Sequence, residues 1–495
     1  MVKRDLSFAF FFALSLITGV FIAGKYNNLR FILIFAAVLA ASYGIQLLNF
    51  KGYNITSLYL IAASLGLITA FSLVAFSPES ASYLGVGYRN VSEYMCTAEE
   101  DSYRIDDTRI RFKAGISGIK TPRLKYSAKT SGLVLVTVEG YGIKSRLNSS
   151  GRIGYGEKLE IKGKLKSSGI PGINYFSYVS PEDITYAGFS GALSEVRFNL
   201  LKRISGKIDL LGYPESELFR ALFLGIKDEI PEEITDGFTR TGTLHILALS
   251  GLHAGIIFFL ASAAMFWLPG RSAKFIISSL LLAAYVLLTG FKTSLVRASL
   301  MIIIGGLGLI MERDSRPLNI LSLAAAATVL VRPFSVFTLS FQLSFSAVFG
   351  IITLGKIISV YLERYLPAFL RYSLSTALGA QLAVAPILLY RFGVFYFIGF
   401  AASMLPVPVI TLFIWFGILF ILLPAGVDRL VLHSFSVVLG AFYNSVNYIN
   451  RKLSEIPGIV VKTGKGYIIS LIVIVILSTI LLLPRKYIYS KGENV

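Results

Sequence analysis

Two of the chain's three histidines, His245 and His253, share the short stretch HILALSGLH with Ser250, at the mouth of a long apolar run. These residue types allow three chemistries. Serine and histidine can make a nucleophile and its base, paired histidines can hold a metal, and polar groups inside an apolar run can line a wet passage. The nucleophile reading takes Ser250 with a base from another helix, and His433 is the histidine left to supply it. Ser250 and Gly251 equally suit close helix packing. The metal reading fails on spacing. Residues at i and i+8 sit about 80° apart around a helix and ~12 Å apart along it. No H-E-x-x-H and no acidic neighbour accompanies the two histidines. Hydrogen-bonded polar groups facing a bundle interior or cavity are left, so no catalytic residue, metal or cofactor is expected.

Other polar side chains lie in or beside apolar segments: Lys292, Arg297, Gln342, Gln381 and Arg391. Taken singly, long cations of this kind snorkel to an interface. Arg297 differs, because it lies inside the apolar stretch Thr293–Met311, where an unpaired cation is costly. Gln342 stands among Ser340, Ser344 and Ser346. His245, Ser250, His253, Arg297 and Gln342 are therefore the candidates for lining or gating a passage. Pro406 and Pro408 should break or kink their helix. Ala248–Gly251 has a superficial similarity to the Gly-x-Ser-Gly box of rhomboid intramembrane proteases, with Ala248 in place of the first glycine. No P-loop appears, so ATP hydrolysis by this chain is not expected.

The elements that must position these residues are membrane helices. Hydrophobic residues make up 55% of 495 and the mean hydropathy is +0.69, outside the range of a soluble globular domain. Apolar segments over Leu6–Ala23, Phe31–Leu48 and Ile55–Phe76 open the chain. Lys3 and Arg4 place its start in the cytoplasm, so residues 77–191 fall outside. Those residues are polar and Gly/Ser-rich, with period-two runs at Ile110–Lys113, Gly132–Glu139 and Lys158–Leu165. They predict a small β domain, OB-like or a sandwich. In it Lys120, Arg123, Lys125, Tyr126 and Lys129 form a basic-aromatic cluster suited to DNA, or an ordinary solvated loop. Cys96 is the one cysteine, so no internal disulfide forms.

Residues 192–495 return to apolar character. Leu193–Leu211 predicts an interfacial helix with Arg197, Lys202, Arg203 and Lys207 on its polar side. Glu215–Ile226 and Asp228–Thr239 follow as short helices, the second with Pro231 near its start. Spans are predicted near 244–268, 275–290, 295–311, 317–331, 336–355, 373–390 and 394–423. An amphipathic stretch, 428–453, precedes a last span at Tyr467–Leu483, and Pro484-Arg485-Lys486 suggests a cytoplasmic end. The fold class is thus a polytopic α-helical membrane protein, with about 10–11 membrane segments and an inserted extracytoplasmic β domain. Net charge is +19. Lysine and arginine in cytoplasmic loops explain much of the excess, and cations along a path for a polyanion such as DNA are the sharper reading.

Several blocks, in order, resemble the ComEC-type competence proteins, a DNA-uptake channel family. They are Ala221–Gly225, Phe238–Gly255 (FTRTGTLHILALSGLHAG), Thr289–Met301, Arg332–Gly350, Pro386–Pro408 and Glu455–Val461. Ser168–Tyr186 is similar to the close of that family's OB-like domain. The resemblance implies a cytoplasmic-membrane channel for single-stranded DNA in natural transformation. It implies as partners an external DNA receptor, a cytosolic helicase-like ATPase and a separate nuclease. Many members continue into a metallo-β-lactamase-like domain; this sequence stops about a dozen residues after Leu483, so that domain is not expected here. Ser403 stands where the family usually has asparagine. The alternative is a transporter or export factor for another anionic polymer on the same scaffold.

Overall fold

The computed structural model describes residues 8–26, 91–106, 108–121, 124–129, 131–140, 152–170, 173–312, 316–396, 399–424, 428–456 and 459–460, with isolated positions between 63 and 88 and at 426. The expected spans Phe31–Leu48 and Tyr467–Leu483, most of Ile55–Phe76, Arg123 and Pro484–Lys486 lie outside the described residues.

After the helix α1 (Phe8–Tyr26), the polar middle of the chain forms strands β1 (Glu93–Ala98), β2 (Tyr103–Asp106), β3 (Arg109–Thr121), β4 (Leu124–Lys129), β5 (Leu133–Glu139), β6 (Glu157–Lys162), β7 (Lys166–Ser167), β8 (Tyr175–Val179) and β9 (Ile184–Phe189). The three alternating runs fall in β3, β5 and β6, and their inward positions build one core. Ile110, Phe112, Ala114, Val134, Val136, Val138, Leu159 and Ile161 are each at most 3% exposed. The strand path is β7-β8-β5-β3-β1-β6-β9. The β5–β8 pair is parallel and its neighbours antiparallel. Only residues 163–165 separate β6 from β7, so the strand next to one end of the path continues directly into the strand at the other end.

The helical part contains α2 (Ala192–Ile208), α3 (Glu215–Leu224), α4 (Glu232–Arg240), α5 (Gly251–Ala264), α6 (Arg271–Leu288), α7 (Thr293–Ile310), α8 (Pro317–Val331), α9 (Leu339–Gly350), α10 (Lys356–Leu362), α11 (Ala368–Phe392), α12 (Gly399–Met404), α13 (Pro406–Leu422) and α14 (Arg429–Ser454). Four helical segments are long and apolar enough to cross a membrane: Arg271–Leu288, Thr293–Ile310, Leu339–Leu362 and Ala368–Phe392. The third is continuous because a π-helical turn, Ile351–Gly355, joins α9 to α10. Shorter apolar helices lie at Ala9–Phe21, Gly251–Ala264, Pro317–Val331 and Pro406–Leu422. Phe219, Phe223, Tyr285, Phe413 and Phe420 centre the bundle core. One helix contact, of α11 with the α9–α10 segment, has almost no side chain in it. A Cβ built on Gly379 would stand 2.7 Å from the Gly355 nitrogen and 2.8 Å from the Gly350 oxygen, the close backbone approach that small residues allow.

Two expectations need correcting, and a third is met. The predicted 244–268 span does not start as α-helix: Leu244–Leu247 is a 3-10 turn and α5 begins at Gly251. The break expected at Pro406 and Pro408 is present. The break falls at Leu405, between α12 and α13, and Pro406 takes a first-turn position, where a missing N–H costs nothing. The largest change concerns α2. Arg197 and Lys207 face the protein, while Leu193, Val196 and Leu200 are 62%, 61% and 45% exposed. On the same helix Leu201, Ile204 and Ile208 pack on the bundle core while Lys202 and Arg203 are exposed, so the four cations are divided between the two faces.

Candidate functional site

The polar inclusion found in the sequence is built around a helix start. Ser250 has extended backbone and caps α5, with His253 at the third helical position. The Ser250 N–H donates to His253 Nδ1 at 3.1 Å, and Ser250 Oγ lies 3.1 Å from the same atom. Because Nδ1 accepts an amide proton, the neutral ring carries its own proton on Nε2. His253 is 2% exposed, and Nε2 has no hydrogen-bond partner among the described residues. The histidine therefore does two things: it replaces the glutamate of a capping box and leaves one buried donor pointing away from the cap.

The start of α5 leans on α7. A Cβ at Gly251 would lie 3.5 Å from Ala298 Cβ. Next to Ala298, Arg297 is 6% exposed, its guanidinium 5.5 Å over the Phe345 ring of α9. Its Nε and Nη1 have no hydrogen-bond partner among the described residues. The α3 C-terminus closes the same corner. Gly225 has φ +74°, the left-handed cap that favours glycine, and a Cβ there would meet Leu249 at 2.7 Å and the Lys292 Cε at 3.8 Å. Two residues on, Lys227 lies within electrostatic reach of Lys292, His245 and His253. Lys227 is solvent-accessible, yet protein crowds its ammonium. Burial first, and then the like charge of Lys292, pulls its pKa below the ordinary lysine value.

The β domain is docked directly over this corner. Arg197, with a side chain 2% exposed, pairs with Asp101 at 2.5 Å and donates from Nε to the Leu287 carbonyl at 2.9 Å. Asp101 also accepts from the Tyr155 N–H at 2.8 Å. Arg152 pairs with Asp228 at 2.7 Å, and Arg104 donates to the Asp228 carbonyl at 3.2 Å. Tyr155 packs on Phe291, ring centroids 5.6 Å apart. Phe291 has φ 54°, after Gly290 at φ 79°. A bulky residue in that region is strained, and this strained turn delivers Lys292 to the start of α7.

The other sequence candidates are dispersed. His245 is exposed on the 3-10 turn. Gln342 donates to the Val336 carbonyl at 3.0 Å and so pins the turn that precedes α9. Gln381 does the same for the Tyr396 carbonyl. His433 is exposed on α14 and makes no hydrogen bond to Ser250 among the described residues; the imidazole beside Ser250 is that of His253. Lys120 is engaged by Glu93 at 3.4 Å and by Glu160. The backbone of Lys125, Tyr126 and Lys129 lies in β4. Sequence reasoning missed Lys227 and the arginine–aspartate pairs, for which spacing carried no signal. Among the described residues, no group of three or more His, Cys, Asp or Glu side chains could hold a metal ion.

A family profile described as Competence protein matches residues 222–486. ComE operon protein 3 of Bacillus subtilis (strain 168) is 30% identical over 276 residues, 54% of this chain and 33% of that protein. The uncharacterized protein YcaI of Escherichia coli (strain K12) is 27% identical over 232 residues, 45% of this chain and 30% of that protein. The matched region thus spans about a third of each relative's length. No solved structure matches the chain.

Proposed function

The chain belongs to the competence protein family, and from that premise we propose that it passes single-stranded DNA inward across the cytoplasmic membrane. The β domain receives the strand outside and the helical bundle provides the path. The observation that carries this is the corner beneath the β domain. Lys227, Lys292, His253 and Arg297 gather there, two of them buried with unpartnered donors among the described residues. Arg297 is a buried cation with unpartnered donors among the described residues, which is costly at the depth of apolar helices, and a polyanion in transit supplies the missing charge. The parallel β5–β8 pair and the three-residue β6–β7 connection support an OB-like barrel, a fold that grips single strands by basic grooves and stacking aromatics. No step asks the chain for bond chemistry. An external DNA receptor, a cytosolic helicase-like ATPase and a separate nuclease complete the pathway in this reading.

Clean deletion should abolish transformation and the internalisation of labelled DNA, while DNA bound at the cell surface persists. Complementation with His253→Gln or Arg297→Lys should restore partial uptake at normal protein level, because a hydrogen-bonding group and a cation remain. Undiminished uptake in the deletion strain refutes the proposal, and loss of export of another anionic polymer instead establishes the alternative.

A further inference from the structure

The corner beneath the β domain has a more specific composition than a polar lining needs. The start of α5, a helix of 14 residues, packs on the second turn of α7, a helix of 18, with Gly251 against Ala298. Each helix start carries the positive end of its helix dipole and free N–H groups, the usual setting for a phosphate. Lys292 is itself the N-cap of α7. Its arm passes Gly225, and Lys227 follows that glycine by two residues. The nearby carboxylates are already taken: Asp101 by Arg197, and Asp228 by Arg152 and Arg104. Last, the Nε2–H of His253 is a buried donor without a partner among the described residues. Its direction is set by the Ser250 N–H held on Nδ1. Like charges gathered around an unused donor, with the neighbouring acids turned elsewhere, call for an anion with several acceptor oxygens.

We propose that Lys227, Lys292 and His253, beside the start of α5 and the start of α7, form a station that binds the phosphodiester backbone of a single-stranded nucleic acid. The station rests on the uptake reading and gives that path its first internal contact. Lys227 and Lys292 neutralise the phosphate, and His253 Nε2 donates to one of its oxygens. Arg297 stands five residues beyond Lys292, ~7.5 Å along the helix, and marks the next cation inward. Base identity is not read, because every group named addresses the backbone.

The test uses the full chain purified in nanodiscs and a fluorescein-labelled oligothymidylate, with anisotropy read across a salt series. For single strands the slope of log K against log salt changes by about 0.7 per phosphate neutralised. The Lys227→Gln/Lys292→Gln double variant should therefore lose between about 0.7, if both lysines share one phosphate, and about 1.4, if each holds its own. An uncharged methylphosphonate oligothymidylate should not distinguish the variant from wild type. An unchanged slope in the double variant overturns the station, as does an equal loss with the uncharged probe. Equal competition by inorganic polyphosphate overturns the assignment to a nucleic acid. If the double variant does not assemble, wild-type protein decides. Oligothymidylate should shield both lysines from amine acetylation, read by mass spectrometry, and equal acetylation with and without it refutes the site. A failed station leaves transformation by the deletion strain abolished, whereas failure of the uptake reading leaves it intact, so the two failures are told apart.

Discussion

Replacing Asp101 by asparagine should loosen the β domain from the bundle while both remain folded. The asparagine oxygen can still accept from the Tyr155 N–H, which Asp101 holds at 2.8 Å. The counter-charge of Arg197 is lost. That guanidinium has a side chain 2% exposed, so water cannot replace the carboxylate, and the Leu287 carbonyl at 2.9 Å is left as its partner. Removing one member of a buried ion pair costs about 3–5 kcal/mol. Asp101 is 24% exposed, which argues for the lower end, about 3 kcal/mol. At ~1.4 kcal/mol per decade this is roughly a hundredfold shift in docking. Hydrogen exchange over residues 287–292, whose Phe291 N–H donates to Val286 O at 3.1 Å, should accelerate by about that factor. Adding Arg197→Met should recover part of the protection, because a neutral pair removes the orphaned charge. Exchange within about threefold of wild type, or a double variant as loose as the sum of the singles, refutes the account.

Cys96 is 1% exposed and burial pushes its thiol pKa up from 9.0 to about 12. A maleimide should therefore leave it unmodified at neutral pH in intact cells and in purified native protein, and label it once denaturant opens the β domain. Rapid native labelling contradicts the packing, and a topology assay needs an introduced, exposed cysteine. Gly379→Ala sets a methyl group against the backbone of Gly350 and Gly355. Overpacking of this kind costs about 1–3 kcal/mol, to be read as a lower Tm in detergent, and an unchanged Tm would mean the helices part freely. Thr338→Ala removes the side chain that accepts from the Phe341 N–H at the start of α9. A loss of about 1 kcal/mol is expected, with faster exchange confined to the first turn of that helix.

Local features were legible in the sequence wherever one segment determined them. The alternation in Gly132–Glu139 predicted a strand, and the apolar run Thr293–Met311 predicted the helix α7. What was hidden depends on separations no window spans. Arg197 reads as one of four cations on a polar stripe, because its partner Asp101 lies 96 residues away. The inward turn of Lys207 has the same origin, since the Ile421 carbonyl to which it donates lies 214 residues away. Periodicity tells that a helix is two-faced, but which face meets lipid is decided by its neighbours. Gln342 read as a passage group and turned out to pin Val336 O, since a lone amide among apolar residues gives no sign of the carbonyl that claims it. Lys227 escaped notice because an exposed lysine in a short loop looks ordinary until the fold sets Lys292 beside it.

Asp228 joins Lys227 in sequence but turns its charge to Arg152. The field at the helix starts is therefore tied to docking: when the β domain is seated, its Arg152 and Arg104 hold Asp228, and its own Asp101 is held by Arg197 of α2. Linkage makes the relation reciprocal. An anion held at Lys227 and Lys292 must tighten the seat of the β domain by the same factor by which the seated domain tightens the anion. Asp101→Asn should then weaken oligothymidylate binding although residue 101 touches no phosphate, and oligothymidylate should slow the exchange of residues 287–292. A loaded strand and a closed roof are, on this geometry, two readings of one equilibrium.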